Sequence, residues 1–271
     1  MKNKVAIVGL GRMGSAIAKS LLKASYEVHG HDTNEDVQKE FKNYKNKLVF
    51  HKRLESLIAE GLPVILAVKP SLVKKILAEI DDNRLVISIA AGVSIGFLNA
   101  SRTKTGPIVR AMPNTPLQIG QGITCLIENE FCTDAEKDFT YEIFETGGDV
   151  VFLDSESKMH AVTALSGSGP AFLYLVLQAL EDGGVLMGLP RELARQLVMR
   201  TASGAASLQK KTNASPQELI HEVTSPGGTT VQGLKILKKF GVENAIQDAI
   251  RFATERSLQI SRALKAGDTK S

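Results

Sequence analysis

Cysteine is scarce in this sequence. Only Cys125 and Cys132 occur among 271 residues, and no histidine cluster accompanies them. Disulfide-stapled domains and cysteine-histidine metal sites need more ligands at regular spacings. We therefore expect two free thiols in a reducing cytosol and no metal site. The apolar run at the N-terminus is too short for a signal peptide and lacks its cleavage site, so we expect a cytoplasmic protein.

Long runs of one charge and long apolar runs are missing as well. The formal net charge is +4 with a pI near 8.9, and the longest basic runs are pairs such as Lys210-Lys211 and Lys238-Lys239. A nucleic-acid-binding surface needs a denser cluster of positive charge. Proline, glycine or a charge interrupts each apolar stretch before the roughly 18 residues of a membrane span. We expect neither nucleic acid nor membrane as a partner.

Apolar residues make up 43% of the chain, and their spacing changes partway along it. From residue 5 to about 110, short β-branched runs alternate with amphipathic stretches, which is typical of parallel strands joined by helices. Two further strands extend this pattern. After about residue 155 the apolar residues recur only at helical spacing. The sequence therefore predicts two domains: a doubly wound α/β sheet over residues 1–155 and an all-α domain over residues 156–271.

The predicted strands are Val5 to Gly9, Glu27 to His31, Leu48 to Phe50, Val64 to Val68, Leu85 to Ile89, Ile108 to Met112, Ile123 to Ile127 and Val150 to Leu153. The predicted helices are Met13 to Ala24, Glu35 to Phe41, Arg53 to Glu60, Ser71 to Ile80, Ile95 to Ala100, Thr133 to Glu145, Ser157 to Gly184, Arg191 to Lys211, Pro216 to Val223, Pro226 to Phe240 and Val242 to Lys265. A helical domain this apolar and this small is expected to need a second subunit to cover it.

A glycine-rich turn follows the first predicted strand and opens the first predicted helix. Its sequence, Gly9-Leu10-Gly11-Arg12-Met13-Gly14, matches the GxGxxG fingerprint of dinucleotide-binding folds. Gly9 permits the tight turn, Gly11 lets the backbone approach a pyrophosphate, and Gly14 permits close helix packing. We predict a Rossmann-type domain that binds its cofactor at Gly9, Gly11, Arg12, Met13 and Gly14. The alternative is a glycine-rich turn that binds no ligand.

Asp32 ends the second predicted strand, near the position where an acid usually binds the adenosine ribose. A carboxylate there favours NADH, because the 2′-phosphate of NADPH would meet like charge. The alternative is that Asp32 caps the next helix, since Asp32-Thr33-Asn34-Glu35 has the chemistry of a helix start. His51, Lys52 and Arg53 supply positive charge nearby that could accept a phosphate. The cofactor is therefore predicted to be NADPH or NADH.

Ser225-Pro226-Gly227-Gly228-Thr229-Thr230 reads as a second helix start. We predict Ser225 as the N-cap and Pro226 as the first helical residue. The glycines leave backbone N–H groups unshielded, so a small carboxylate could accept hydrogen bonds from the Ser225 hydroxyl and from the amides near Gly228 and Thr229. The alternative is an ordinary capped helix that binds nothing.

Five segments in this order resemble the pyrroline-5-carboxylate reductase family over essentially the whole chain. Three follow predicted parallel strands, at the sheet edge where such folds bind ligands, and two lie in the helical half. The segments are Ala67-Val68-Lys69-Pro70, Ala90-Ala91-Gly92, Met112-Pro113-Asn114-Thr115-Pro116, Leu165-Ser166-Gly167-Ser168-Gly169-Pro170 and Val223 to Thr230.

The resemblance implies an activity and an assembly. Hydride would pass from NAD(P)H to the imine carbon of 1-pyrroline-5-carboxylate, giving L-proline in the last step of proline biosynthesis. The protein would be a homodimer with interlocked helical domains, of the kind often assembled into a larger ring of dimers. The implied cofactor residues are Val68, Lys69, Pro70, Ala90, Ala91 and Asn114. The implied residues for the cyclic imino acid substrate are Ser225, Gly228, Thr229 and Thr230.

Imine reduction needs little chemistry from the protein beyond positioning a protonated C=N group. The Thr230 hydroxyl would hydrogen-bond the ring nitrogen, which makes Thr230 the predicted catalytic residue. One alternative is another dehydrogenase of the same architecture, of the 3-hydroxyacid or 6-phosphogluconate type. It would want a lysine acid with an accompanying asparagine in the helical half, and Lys158 lacks that neighbourhood. Another is a non-catalytic dinucleotide-binding relative, which should show decayed motifs.

Overall fold

An eight-stranded sheet forms the first part of the protein in the computed structural model, which describes residues 3–44, 48–265 and 267. The strands lie in the order β3-β2-β1-β4-β5-β6-β7-β8. Among these pairs only β6 with β7 is antiparallel, and β8 is parallel to β7, so β7 and β8 run opposite to the other strands. They are β1 Lys4–Val8, β2 Glu27–His31, β3 Leu48–Phe50, β4 Val64–Leu66, β5 Val86–Ser88, β6 Ile108–Met112, β7 Gly122–Glu128 and β8 Gly148–Phe152.

Helices pack on both faces of this sheet, as the near-continuous apolar strands predict. Alternate residues of β1 point to opposite sides: Val5 and Ile7 belong to one buried cluster, and Ala6 and Val8 to the other. The helices of this part are α1 Arg12–Lys23, α2 Leu54–Ile58, α3 Pro70–Ala78, α4 Ile95–Ser101, α5 Asp134–Glu145 and α6 Met159–Val162. The doubly wound α/β prediction is therefore confirmed.

The rest of the chain is helical, as predicted. Its elements are α7 Gly169–Leu186, α8 Arg191–Thr212, α9 Pro216–Glu222, α10 Thr229–Lys239 and α11 Val242–Lys265. Contacts divide the chain into two compact units, Met1–Ser168 with Phe252–Ser271, and Gly169–Arg251. The domain boundary at residue 155 stays a prediction.

Two predicted helices take a different form. The segment expected as a helix over Glu35 to Phe41 is a 3₁₀ helix, Glu35–Tyr44. The helix expected from Ser157 to Gly184 consists of a 3₁₀ turn, Glu156–Lys158, then α6, a π-helical turn over Thr163–Gly167, and α7. The π turn is closed by the N–H of Ser168, which donates to the carbonyl of Thr163 at 2.9 Å.

One run of helix, Glu156–Leu186, is long and apolar enough to cross a membrane by length and composition alone. Our expectation that every apolar stretch is interrupted is therefore wrong here. Gly167, Gly169 and Pro170 do not end the run, because the π turn and the first turn of α7 absorb them. Length and composition of one helix are weak evidence for a membrane, since exposed apolar helices also form subunit interfaces.

Candidate functional site

A cleft of about 680 Å³ opens at the carboxyl ends of β1, β2 and β4. This is the point where the strand order reverses, since β1 pairs with β2 on one side and β4 on the other. Open α/β sheets bind ligands at such a point. Five of the predicted cofactor residues line the cleft together: Gly9, Gly11, Asp32, Val68 and Lys69.

The glycine turn between β1 and α1 has the geometry that a dinucleotide phosphate requires. Gly9 has φ +93°, and a Cβ there would lie 2.6 Å from the Ala67 carbonyl oxygen. A Cβ on Gly14 would lie 1.9 Å from the Gly9 carbonyl oxygen. Around Gly11, by contrast, an added Cβ would meet nothing within 4 Å, so its backbone faces open space. The first and third glycines fit the turn and the helix together, and the second leaves room for a ligand.

Gly11 is the N-cap of α1 and has no side chain to bond the first helical amides. Helix starts of this kind present N–H groups and the positive end of the helix dipole to an anion. Arg12 and Met13 are the first two helical residues, so the helix starts one residue before the predicted start. The uncapped start of α1 therefore supports a pyrophosphate site at this turn.

Asp32 is half-buried in the cleft wall and binds the glycine turn directly. The N–H of Leu10 donates to Asp32 Oδ2 at 2.7 Å, and the N–H of Asn34 donates to Oδ1 at 2.8 Å. The second bond closes a local turn, while the N–H of Asp36 is bonded by the side chain of Asn34 instead. Asp32 thus connects the end of β2 to the cofactor turn, a position that suits contact with the adenosine ribose.

Charges of both signs line the rest of this cleft. The cations are Lys52, Arg53, Lys69 and Lys75, and the acids besides Asp32 are Glu55 and Glu79. Two of the cations are already paired, because Lys52 Nζ lies 3.3 Å from Glu35 and Arg53 Nε lies 3.5 Å from Glu55. The lining can therefore accommodate either a ribose hydroxyl or a ribose phosphate.

The remaining predicted cofactor residues lie outside the lining of this cleft. Pro70 is the first residue of α3, directly after Lys69. Ala90 and Ala91 follow β5, and Asn114 follows β6, so they lie along the same carboxyl edge of the sheet. The side-chain oxygen of Asn114 accepts the N–H of Ile123 at 3.0 Å, which fixes its amide group in one orientation.

The predicted helix start at Ser225 is wrong. Helix α10 begins at Thr229 with Gly228 as its N-cap, and Ser225 to Gly228 form a turn closed by the Gly228 N–H on the Ser225 carbonyl at 3.0 Å. Gly227 has φ +73°, which no right-handed helix contains, so a helix cannot run through it. Pro226 therefore lies in the turn and not in the helix.

The corrected geometry keeps the anion-binding character of this segment. Gly228 provides no side-chain cap, so the amides of Thr229 and Thr230 begin the helix uncapped by any side chain. The Ser225 hydroxyl lies over this start, because a Cβ on Gly228 would come within 2.5 Å of Ser225 Oγ. Thr230 is half-buried in the first turn. Within its own compact unit, the segment brings together all four predicted substrate residues.

One polar group in the first unit was not predicted as a site residue. Ser166 lies in the π-helical turn, and its Oγ is buried without a hydrogen-bond partner among the described residues. The neighbouring Gly167 approaches Met112 at the end of β6, where an added Cβ would lie 3.5 Å from the Met112 sulfur. A buried, unbonded hydroxyl at the carboxyl edge of the sheet is a candidate for a ligand contact. The sequence feature that could have indicated Ser166 as a site residue is the motif Ser166-Gly167-Ser168-Gly169-Pro170.

Comparison with known proteins identifies the family. The pyrroline-5-carboxylate reductase dimerisation family matches residues 156–260, and the family described as NADP oxidoreductase, coenzyme F420-dependent, matches residues 4–92. A pyrroline-5-carboxylate reductase of Synechocystis is 38% identical over 97% of this chain and 100% of its own length. The chain belongs to the pyrroline-5-carboxylate reductase family.

Solved reductases of this family share the fold. The crystal structure of Plasmodium falciparum pyrroline carboxylate reductase with NADP bound has a TM-score of 0.87 and 32% identity, covering 95% of this chain and 98% of its own. A Streptococcus pyogenes 1-pyrroline-5-carboxylate reductase has a TM-score of 0.86 at 32% identity, covering 94% and 98%. The family resemblance, the Rossmann-plus-helical fold class and the NAD(P)H-dependent reductase activity predicted from the sequence are confirmed. The 3-hydroxyacid dehydrogenase and non-catalytic alternatives are not favoured.

Proposed function

We propose that this protein reduces 1-pyrroline-5-carboxylate to L-proline with NADPH or NADH, the last step of proline biosynthesis. One observation carries the proposal: a cofactor turn with the required glycine geometry and a reductase-specific helical region occur in one chain that matches pyrroline-5-carboxylate reductases from end to end. The protein is an oxidoreductase of this family.

In the proposed cofactor site, the amides that follow Gly11 bind the pyrophosphate, and Asp32 faces the adenosine ribose. Val68, Lys69 and Pro70 border the cofactor on the β4 side, and Ala90, Ala91 and Asn114 border it further along the sheet edge. NAD(P)H supplies the hydride when bound. The chain's contribution is to hold the dinucleotide extended along this edge, with the fixed amide of Asn114 at the β6 end.

The proposed substrate site is the start of α10. The Gly228 N–H already donates to the Ser225 carbonyl, so the substrate carboxylate accepts hydrogen bonds from the Ser225 hydroxyl and from the amides of Thr229 and Thr230. The helix dipole favours its negative charge. The Thr230 hydroxyl bonds the ring nitrogen and orients the protonated C=N group, which has little need of a strong acid. This assignment gives one short segment two tasks, binding the carboxylate and aiming the imine carbon.

The test is a direct assay of the purified protein with 1-pyrroline-5-carboxylate and each reduced nicotinamide in turn, following loss of nicotinamide absorbance and formation of proline. We expect turnover with at least one cofactor. A chain with Gly14→Ala is the matched control, because the added Cβ cannot coexist with the Gly9 carbonyl in the observed turn. Absence of proline with both cofactors, from a folded protein, would contradict the proposal.

The second compact unit supports a homodimer. Within Gly169–Arg251 only Ala194 is buried, whereas Leu173, Tyr174 and Leu175 are each more than 60% exposed. A unit with so little core of its own needs an apolar partner, and the matched family is one of dimerisation. We further propose that dimers assemble into a larger ring and that the protein works in the cytoplasm. Size measurement by light scattering distinguishes a dimer from a ring.

A further inference from the structure

His29, His51 and Glu60 form a cluster that the proposed reaction does not use. His29 lies on β2, His51 directly follows β3, and Glu60 follows α2. His29 Nδ1 and His51 Nε2 are 3.1 Å apart, and the Glu60 carboxylate oxygens lie 4.0 Å and 3.9 Å from them. The imidazoles are only 7% and 9% exposed, while Glu60 is 41% exposed. Three donor atoms of metal-ligating types thus converge in a nearly buried position.

Hydrogen bonds fix the tautomers of both histidines. His29 Nε2 lies 2.9 Å from Glu27 Oε1, and the Lys4 ammonium donates to the same carboxylate oxygen at 2.8 Å, forming an ion pair. An ionised carboxylate only accepts, so His29 Nε2 carries the hydrogen. His51 Nδ1 lies 3.3 Å from Ser56 Oγ, whose own hydrogen is donated to the Arg53 carbonyl at 2.7 Å. His51 Nδ1 therefore also carries a hydrogen.

These assignments leave two nitrogen lone pairs facing each other across 3.1 Å. Such a contact is repulsive unless a cation lies between the nitrogens. A metal ion suits the arrangement, because it binds neutral imidazoles through the lone pairs that are free here and because the Glu60 carboxylate lies beside both nitrogens.

The spacing matches zinc. Bonds of about 2.0–2.1 Å at tetrahedral angles place two ligand atoms about 3.3 Å apart, close to the observed nitrogen separation. The Glu60 carboxylate lies roughly 0.6 Å beyond that spacing, at the exposed end of a flexible side chain that can close the gap. Glu27 and Ser56 occupy the outer positions, bonded to the second ring nitrogen of each histidine, as in carboxylate-histidine-zinc arrangements.

We propose that His29 Nδ1, His51 Nε2 and the Glu60 carboxylate bind one Zn²⁺ per chain, with water as the fourth ligand. The ion joins β2, the end of β3 and the end of α2, three segments that are distant in sequence. Lys52 and Arg53, which line the cofactor cleft, follow His51 directly. The ion would therefore fix the segment at the adenosine side of the cleft.

The experiment uses the full-length protein, stripped of metal with a chelator and titrated with Zn²⁺ against a chromophoric competitor. Co²⁺ is added in parallel, because four-coordinate Co²⁺ gives intense visible absorption bands. The variants Glu60→Gln and His51→Gln each remove one ligand, and Glu27→Gln removes an outer hydrogen bond. Glu55→Gln on α2 and His221→Gln on α9 are the matched controls, since neither residue belongs to the cluster.

We expect one Zn²⁺ per wild-type chain and intense Co²⁺ bands, both retained in the two controls. Glu27→Gln should weaken binding roughly 10- to 100-fold, and Glu60→Gln and His51→Gln by about 100-fold or more. If His51→Gln fails to fold, the exposed Glu60→Gln decides alone. Wild-type protein that binds no Zn²⁺ against the competitor, or variants that bind as the wild type does, would overturn the proposal. Proline formation is assayed separately, so a failed zinc site leaves the reductase assignment untouched.

Discussion

Replacing Asp32 with serine tests what selects the cofactor. Its carboxylate is fixed in the cleft wall by the amides of Leu10 at 2.7 Å and Asn34 at 2.8 Å. A ribose 2′-hydroxyl can donate to such a group, whereas a 2′-phosphate meets its negative charge. Asp32→Ser removes that charge. It also removes the Leu10 bond, but this loss affects both cofactors alike, because both carry the same pyrophosphate over the same turn.

The size of the expected change in cofactor preference follows from the repulsion between two charges in contact, reduced for the exposure of Asp32. Two unit charges 4 Å apart repel by about 4 kcal/mol at an effective dielectric constant of about 20. Asp32 is only half-buried, and Lys52 and Arg53 line the same cleft, so the net effect is much smaller. We take about 1.4 kcal/mol, which corresponds to a factor of about ten. The ratio of kcat/KM for NADPH to that for NADH should therefore rise about tenfold in Asp32→Ser.

The measurement is steady-state kinetics with both cofactors on the wild type, Asp32→Ser and Glu55→Gln. Glu55 is the matched control, because its carboxylate lines the same cleft but forms no hydrogen bond to the glycine turn. Thermal unfolding of each variant checks that the fold persists. An unchanged ratio in Asp32→Ser would refute the reasoning. An equal rise in both variants would show that the total charge of the cleft, and not this position, sets the preference.

Three further predictions concern other parts of the molecule. Thr230→Ala should lower kcat about 10- to 100-fold, because it removes one hydrogen bond to a charged group. The circular dichroism spectrum should stay unchanged, and Thr230→Ser should restore kcat. Glu156→Ala should lower the free energy of unfolding in urea by about 2–3 kcal/mol, because it leaves the buried Arg110 guanidinium without the carboxylate that it bonds at 2.5 Å. The loss is smaller than for a fully buried ion pair, since Glu156 is one-third exposed. Burial raises the pKa of Cys132 to about 11, so its thiol should resist thiol reagents at pH 8 in native protein and react in urea. As the pH rises, the Cys132 thiol ionises in the unfolded chain before it ionises in the folded protein. The stability that comes from this pKa difference is therefore present below pH 9 and is lost as the pH rises through about 11.

The sheet was predictable because its strands carry local signals. Turn residues bound the apolar runs, and β2, β3 and β6 begin and end at the residues predicted. The fourth strand was predicted to reach Val68 but ends at Leu66. Ala67 and Val68 leave the strand where their atoms pack against the glycine turn, since a Cβ on Gly9 would lie 2.6 Å from the Ala67 oxygen and 2.9 Å from Val68 Cγ1. That contact joins residues far apart in sequence, so the local pattern could not reveal it.

The start of α10 was mispredicted because two start signals overlap. Ser225-Pro226 and Gly228-Thr229 each have the composition of a helix start, and the sequence does not rank them. The backbone of Gly227 decides in favour of the second. The residues proposed for the substrate were nevertheless all within the segment, because glycine pairs and hydroxyls indicate an exposed helix start in either register. Local composition thus indicated the segment of the proposed substrate site but not the first free amide of its helix.

The histidine cluster could not be predicted from spacing. Metal motifs are recognised when ligands lie a few residues apart on one element. Here the proposed ligands come from β2, from the residue after β3 and from the turn after α2, and the parallel pairing of β2 with β3 brings the two histidines together. His29 pairs in register with Val49, two residues before His51. A predicted strand order would have been enough to place the two imidazoles side by side.

Composition indicated how much apolar material the chain holds but not what covers it. The helices of the second unit leave large apolar side chains such as Leu186, Met187 and Phe240 more than 70% exposed. Burial of such side chains contributes about 1.5–3 kcal/mol each, so a few of them decide whether the unit is stable. In a homodimer of this family that burial comes from the partner subunit. The stability of the helical unit is then inseparable from protomer concentration, and its unfolding temperature should rise as the protein is concentrated.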